Sequence, residues 1–531
     1  MTARRFIERL GAAQLPQLGP REAWGPFQVH WLDLRRLKLG FSGRTPFITL
    51  ENPNDAVDLR VALVDFSREV AGKSQTVYLA EQDDDYAWVE PAMLTQHAIG
   101  VVTHDTRAEC IDVRDTERCY RLLGAALANT IGASALSPYS PGRPASGGRF
   151  FGRSKVLNDI VSGKTVRNCT IVGNRRIGKT SLLHEVRERL ADVYLPGKTI
   201  HFADIYASKA KTTWDIVYLI LSQLGVQVPS HWAKFGAIAP RYVNRFPQLL
   251  HDFARRHQTK VVILIDEFDA FLERDAKQRW EFLHLLREAA AEDGPCSVII
   301  AGFRLLMLMR VRQDNPYHNF TREIALTPLS KEETLEMVTT PLARLGIDLS
   351  GSNIPGVIHR ETRGHPEMVQ MYCQAIIALH AKRHALPSDA ELLQHVTGEA
   401  AFTRTILHTF LNNANHFEQI LCLALMQRAV AGRQGVAEFE FRIADAERAL
   451  DGVHLSLNNA EMATVLNNLV VGSFIERVAG APGQYRFAIP QLVRFCQAVD
   501  LNELLSNALA RLADTRPSID TLVEDLGATL P

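Results

Sequence analysis

Cysteine is sparse and unpatterned. The seven in 531 residues (Cys110, Cys119, Cys169, Cys296, Cys373, Cys422 and Cys496) are odd in number and include no C-x-x-C pair. That excludes a disulfide frame and a thiolate zinc site and predicts reduced thiols in a cytoplasmic chain. Net charge is also lacking, since 59 Lys and Arg balance 59 Asp and Glu. The chain as a whole is therefore no electrostatic binder of nucleic acid, although a local basic patch stays open. No apolar run approaches the ~18 residues that span a bilayer; the longest, Val261–Ile265 and Leu469–Ile475, are strand-sized or broken by Gly and Ser. No partner membrane is expected. The start, with Glu8 and no apolar h-region, predicts an ordinary amphipathic helix rather than a secretory signal. No repeat recurs at a fixed period.

The chain does contain enough apolar side chain for several cores: 46% of residues are hydrophobic and 22% charged. Its length divides into about three or four domains of ordinary size. The clearest break is Ala135–Arg149, ALSPYSPGRPASGGR, whose prolines and glycines predict an exposed linker. Before it, Pro46–Glu51, Gln75–Ala80 and Ala98–Val102 read as strands, and Asp55–Val70 and Asp115–Thr130 as helices, which makes a small α/β unit. After it, Asn168–Val172, Thr199–Ile205, Lys260–Ile265, Cys296–Ala301 and Arg322–Leu326 read as strands alternating with helices. The continuous apolar runs among them are those of strands buried on both faces of a parallel sheet. At Ser330 a capping box with Glu333 opens a purely helical stretch to about Gly398. Helices then lead to two short strands around Ala479–Gly483, a pattern that fits a winged helix. The expected divisions are 1–134, 135–149, 150–329, 330–398, 399–495 and a helical tail, 496–531.

One motif carries specific chemistry. Gly173, Asn174, Arg175, Arg176, Ile177, Gly178, Lys179 and Thr180 fit G-x-x-x-x-G-K-[ST], between the strand Cys169–Val172 and a helix starting near Ser181. Glycines let such a loop wrap polyphosphate with backbone N–H groups, and the next helix aims its positive end at the same anion. Lys179 would reach the β and γ phosphates, and Thr180 would offer a hydroxyl to Mg²⁺. A second element supports this one. Val261–Ile265 runs straight into Asp266 and Glu267. A carboxylate at such a strand end suits a Walker B site, with Asp266 on Mg²⁺ through water and Glu267 polarising the attacking water. Asp269 is equally well read as a first-turn helix charge.

These residues resemble P-loop ATPases of the additional-strand catalytic-glutamate group, and more narrowly STAND-type and archaeal-type ATPases, close to AAA+. Phe150-Phe151-Gly152-Arg153 is similar to a segment that in that family precedes the glycine loop and packs near adenine. Arg322 ahead of Ile324–Leu329 resembles the family's segment of arginine followed by L-x-P-L, and Gly364-His365-Pro366 resembles its G-x-P element in the lid. The resemblance covers about half the chain. It implies an α/β fold: a P-loop NTPase parallel sheet with a helical lid and a winged-helix domain, preceded by the small α/β unit. It implies ATP or ADP and Mg²⁺ as cofactors. It places Gly152, Arg153, Ser181, Arg322, His365 and Pro366 near the nucleotide. Arg322 is read as a phosphate sensor, as a finger acting in trans or as an ordinary surface pair, and His365 as a β-phosphate sensor or a packed histidine. Cys296–Ala301 ends in Gly302-Phe303-Arg304 without the small polar sensor of AAA+ proteins. Arg304 either replaces it on the γ-phosphate or is a surface arginine.

The leading functional reading is a STAND-like regulatory ATPase, an ATP-controlled switch of conformation or assembly with itself or a partner protein. One alternative is a DNA-handling AAA+ ATPase. Against it, Leu457–Leu469, the expected recognition helix, has no Lys or Arg, and its hairpin only Arg477 and Arg486. The other is a nucleotide-binding scaffold without turnover. Met1–Ser134 shows no nucleophile triad, metal cluster or glycine fingerprint; Glu51, Asp55 and Asp58, and His104 with Asp105, read best as helix N-terminal groups.

Overall fold

The computed structural model describes residues 3–19, 22–41, 44–50, 59–71, 75–80, 91–162, 165–193, 200–226, 243–291, 294–303, 319–399, 414–432, 439–472, 474–490 and 499–512. Arg304, Glu51, Asp55 and Asp58 lie outside the described residues, as does Cys496.

The N-terminal unit is a five-stranded sheet in the order β1-β2-β3-β4-β5. Its strands are β1 (Glu22–Trp24), β2 (Phe27–Asp33), β3 (Arg44–Leu50), β4 (Thr76–Leu79) and β5 (Ile99–Val102). The first two pairings are antiparallel, and β3, β4 and β5 run parallel. The sequence reading found β3 to β5 but not β1 and β2. Every residue of β2 is buried, including Gln28, His30 and Asp33, so the strand lacks the continuous apolar run of one covered on both faces, although Phe27, Val29 and Trp31 alternate with Gln28 and His30. The helix Thr116–Ile131, capped by Asp115, packs on β5, where Gly100 leaves room for Leu127 and Ile131. Helix Ala3–Ala12 buries Phe6, Ile7 and Leu10, the expected amphipathic pattern.

After a small hairpin of β6 (Val161–Ser162) and β7 (Thr165–Val166) comes the central sheet. It comprises β8 (Cys169–Val172), β9 (Ile200–Tyr206), β10 (Lys260–Asp266), β11 (Cys296–Gly302) and β12 (Arg322–Ala325) in the order β12-β8-β11-β10-β9, all parallel. The additional strand β11 thus separates β8, which leads into the glycine loop, from β10, which ends in Asp266. Val261–Asp266 and the whole of β11 are buried, as continuous apolar runs require in a sheet covered on both faces.

Four helices follow, Lys331–Arg344, Ile354–Thr362, Pro366–Arg383 and Asp389–Gly398. The capping box of Ser330 with Glu333 is formed, and Ser388 with Glu391 makes another. Beyond them, helix His416–Ala431 packs on helices Ile443–Asp451 and Asn459–Val471, which pack on a three-stranded antiparallel sheet, β13 (Glu440–Arg442), β15 (Gln484–Phe487) and β14 (Ile475–Arg477), the winged-helix arrangement. Residues 501–512 are helical. One apolar cluster runs through the N-terminal sheet, the lid and the winged helix, so these parts share a core. Among the described residues no cysteine forms a disulfide, and no helix is long and apolar enough to cross a membrane.

Ala135–Arg149 corrects the expectation of an exposed linker. Leu136 and Tyr139 are buried, and the Tyr139 hydroxyl donates to the Met337 carbonyl at 2.8 Å. Ser140 N–H donates to Gln370 Oε1 (2.8 Å), and Gln374 Nε2 donates to the Tyr139 carbonyl (2.9 Å), which ties the segment to the lid helix Pro366–Arg383. At its other end Ala145 N–H donates to Ser181 Oγ (2.9 Å) and Gly147 N–H to Glu185 Oε2 (3.0 Å), both on the helix Lys179–Val193. The segment is a strap between the lid and the sheet domain. Pro and Gly here suit a chain that forms no regular element yet is held at several points.

Candidate functional site

The glycine loop leaves β8 at Gly173, where a Cβ would stand 3.0 Å from the Leu326 carbonyl and from Ile177 Cγ2. Gly178 has φ +103°, a conformation open to glycine but strained for other residues. These two positions set the path of the loop into the helix Lys179–Val193, whose N-terminus faces a cavity of about 1010 Å³. Arg175, Arg176, Ile177, Gly178, Lys179, Thr180 and Ser181 line it, opposite the lid residues Pro366, Glu367 and Gln370. Gly173 and Asn174 do not line it; they act through their backbone. The Lys179 ammonium donates to the carbonyls of Gly173 and Asn174, each at 2.7 Å. Burial pulls its pKa down to about 8, against the nearby carboxylates of Asp266 and Asp269. The Ser181 hydroxyl accepts the strap's Ala145 N–H.

From β10, Asp266 meets the loop. Thr180 Oγ1 donates to Asp266 Oδ2 at 2.5 Å, while Asp266 Oδ1 accepts Glu267 N–H at 2.9 Å. A hydroxyl and a carboxylate oxygen side by side, open to a cavity that admits water, suit a hard divalent cation that keeps several waters, as Mg²⁺ does. Glu267 is exposed and lines the cavity, with a left-handed backbone at φ 53°. Asp269 Oδ2 accepts the Phe303 N–H, and the Phe303 ring lies 5.8 Å from the Lys179 ammonium, so Asp269 braces the end of β11.

The other expected residues fall differently. Arg153 does line the cavity; it is largely buried at φ 64°, and its guanidinium donates to the Ile177 carbonyl at 3.2 Å, bracing the loop. Its own N–H donates to Glu333 Oε1 at 2.7 Å. Gly152 keeps its backbone clear of the same carboxylate, which a Cβ would meet at 2.9 Å. His365 is buried against the backbone of Arg175 and does not line the cavity; burial takes its pKa down to about 4, so the ring is neutral near pH 7. Arg322 is a correction. In the β12–β8 ladder it stands opposite Cys169, at the end of β8 remote from the glycine loop, and it pairs with Asp159 at 3.7 Å. It does not reach this chain's cavity. His104 and Asp105 open the helix His104–Asp112, capped by Thr103.

Three features escaped the sequence reading. Glu367, buried in the first turn of its helix, pairs with the Arg176 guanidinium and also accepts the strap's Gly142 N–H. Ser208 Oγ donates to Glu267 Oε2. Gly142, Arg143, Pro144 and Ala145 of the strap form part of the cavity wall. The first of these left one signal, an acidic residue directly after the G-x-P element.

A family model described as novel STAND NTPase 1 matches residues 135–468. Similar solved structures include the ORC2 protein of Aeropyrum pernix in ADPNP–ADP complexes (18% identity, 67% of this chain, 92% of that chain, TM-score 0.47). A Walker-type ATPase of Pyrococcus abyssi (12% identity, 67% of this chain, 99% of that chain, TM-score 0.44) is another. So is Cdc6p of Pyrobaculum aerophilum (15% identity, 70% of this chain, 97% of that chain, TM-score 0.36). No curated protein matches the chain.

Proposed function

The chain belongs to the novel STAND NTPase 1 family, and from that premise we propose that it binds ATP with Mg²⁺, hydrolyses it slowly, and uses the ATP and ADP forms as a switch of conformation or assembly. The observation that carries this reading is the convergence of Lys179, Thr180, Asp266 and Glu267 on one cavity shared by sheet domain, strap and lid.

In this reading the loop amides and the Lys179 ammonium take the polyphosphate, the lysine giving up its two carbonyl partners for phosphate oxygens. Thr180 and Asp266 would hold Mg²⁺, which when bound supplies charge neutralisation at the β and γ phosphates. Glu267 orients a water whose oxygen attacks the γ-phosphorus as the bond to the bridging oxygen breaks; its carboxylate takes the proton. A switch needs contacts that differ between the two nucleotide forms. The lid is tied to the loop by the Arg176–Glu367 pair and by His365 against the Arg175 backbone, so a loop shifted by phosphate carries the lid with it.

Two observations weigh against the DNA reading. Arg477 donates to Asn467 Oδ1 (2.6 Å) and Arg486 pairs with Glu476 (2.6 Å), so both basic groups of the wing are engaged within the domain. A phosphate-release assay with Glu267→Gln tests the proposal. The variant is expected to keep nucleotide binding and lose turnover by about a hundredfold or more. Unchanged turnover contradicts the assignment, and a wild type that binds without releasing phosphate supports the scaffold instead.

A further inference from the structure

The cavity lining is of two kinds: the glycine-loop residues Gly178, Lys179 and Thr180, and the apolar Phe150, Phe151, Leu329 and Met337. With the triphosphate on the loop, the base of a nucleoside triphosphate suits the apolar part, where a flat ring loses water at little cost.

That apolar wall is held from outside the ATPase core. The N-terminal unit sends the loop Arg35–Gly40 beneath it. Lys38, at φ 53°, turns its side chain so that Nζ donates to the Phe150 carbonyl at 2.7 Å and lies 5.0 Å from the centroid of the Phe151 ring. It does not line the cavity; it stands behind the two phenylalanines. Its ammonium is enclosed, which lowers its pKa, and is compensated by Glu185 of the helix after the glycine loop and Glu336 of the first lid helix. The same loop grips both ends of the strap. Gly40 N–H donates to the Leu136 carbonyl (2.7 Å), and Arg149 Nη2 donates to the Gly40 carbonyl (3.1 Å).

We propose that Lys38 is a positioning residue for the nucleobase: through it the N-terminal unit fixes the Phe150–Phe151 wall, so that base binding and the state of loop Arg35–Gly40 are coupled. The proposal rests on the triphosphate reading above. Coupling of this kind is reciprocal: whatever the N-terminal unit binds through movement of this loop alters nucleotide affinity by the same factor. The N-terminal unit is then the input or output arm of the switch rather than an appended module.

The test compares Mg·ATP with Mg·tripolyphosphate, which fills the cradle but has no base, on the full-length protein. Lys38→Met is expected to weaken Mg·ATP about fivefold and leave tripolyphosphate within about twofold, since a cation–π contact and a hydrogen bond are lost at the base end alone. Lys38→Arg, which keeps the charge and the donor, is expected to restore most of the ATP affinity. Equal loss for both ligands, or none for ATP, overturns the proposal. A second readout needs no variant. Hydrogen exchange of the wild-type amides of residues 35–40 slows more with Mg·ATP than with tripolyphosphate; equal slowing by the two, or no slowing, overturns it. A wild type that takes up neither ligand overturns the triphosphate reading and this inference with it. A wild type that takes up both, without the selective effects, overturns this inference alone.

Discussion

Ser208 Oγ donates to Glu267 Oε2 at 2.6 Å. The carboxylate proposed to polarise water thus accepts, through one of its two oxygens, a hydroxyl just beyond the neighbouring strand β9. The left-handed backbone at Glu267, φ 53°, adds a restraint that a non-glycine residue adopts at some cost. Together they restrain the Glu267 carboxylate at the cavity.

Ser208→Ala is expected to release that oxygen. A neutral-to-charged hydrogen bond of this kind contributes about 1–2 kcal/mol net, so steady-state turnover should rise several-fold, by about five, with little change in KM. Lower turnover in the variant means that Ser208 holds Glu267 in its working position instead.

Lys179 gives a pH dependence. Its folded pKa is depressed, from 10.5 to about 8, chiefly by burial. Between about pH 8 and the ordinary lysine range the unfolded chain therefore holds more protons than the folded one, and nucleotide-free stability gains from rising pH across that window. Phosphate binding demands the charged ammonium. Calorimetry at pH 8.5 in buffers of different ionisation enthalpy should find net proton uptake on binding Mg·ATP, and Lys179→Met should remove it. Uptake that persists in the variant assigns the proton elsewhere.

The Arg176–Glu367 pair joins loop to lid. Glu367 is 6% exposed, and burial raises its pKa while Arg176 opposes the rise. Arg176→Ala leaves that carboxyl without its cation. With Arg176 itself about a third exposed, the cost should be about 1–2 kcal/mol in thermal or urea unfolding. Adding Glu367→Gln should recover part of it, because an amide tolerates burial better than an unpaired carboxylate. A double variant no more stable than Arg176→Ala removes the pair from the account.

The strap should respond to nucleotide. The amides of Ser140, Ala145 and Gly147 each donate to a side chain of the lid or of the helix after the glycine loop. Their hydrogen exchange should slow with Mg·ATP. Gln370→Ala should speed exchange at Ser140 while leaving Gly147, 3.0 Å from Glu185, nearly unchanged. Uniform exchange across the segment, with or without nucleotide, contradicts its bridging role.

What was legible in the sequence was local. The glycine loop is contiguous, and β8 and β10 are apolar runs bounded by glycine or acid, so the loop and the carboxylate at the end of β10 could be read directly. β2 was passed over: its buried Gln28, His30 and Asp33 break a continuous apolar run, and its one signal was the short alternation of Phe27, Val29 and Trp31 with Gln28 and His30. The strap was misread because its lid anchors, Met337, Gln370 and Gln374, lie about 200 residues or more along the chain. Proline and glycine there say only that no regular element forms. Arg322 was misplaced for a related reason. A strand's end relative to the loop depends on its ladder register, and pairing with Cys169 puts the arginine at the remote edge. Lys38, in a turn of the N-terminal unit, carries no motif at all; only the folded chain brings it behind Phe150 and Phe151.

The most direct measurement is titration calorimetry of the full-length protein with ATP, with and without Mg²⁺, for wild type and Lys179→Ala. One nucleotide per chain should be taken up with Mg²⁺, and the lysine variant should lose at least about a hundredfold in affinity. No uptake by the wild type, or uptake indifferent to Lys179, contradicts the assignment of this cavity to a nucleoside triphosphate.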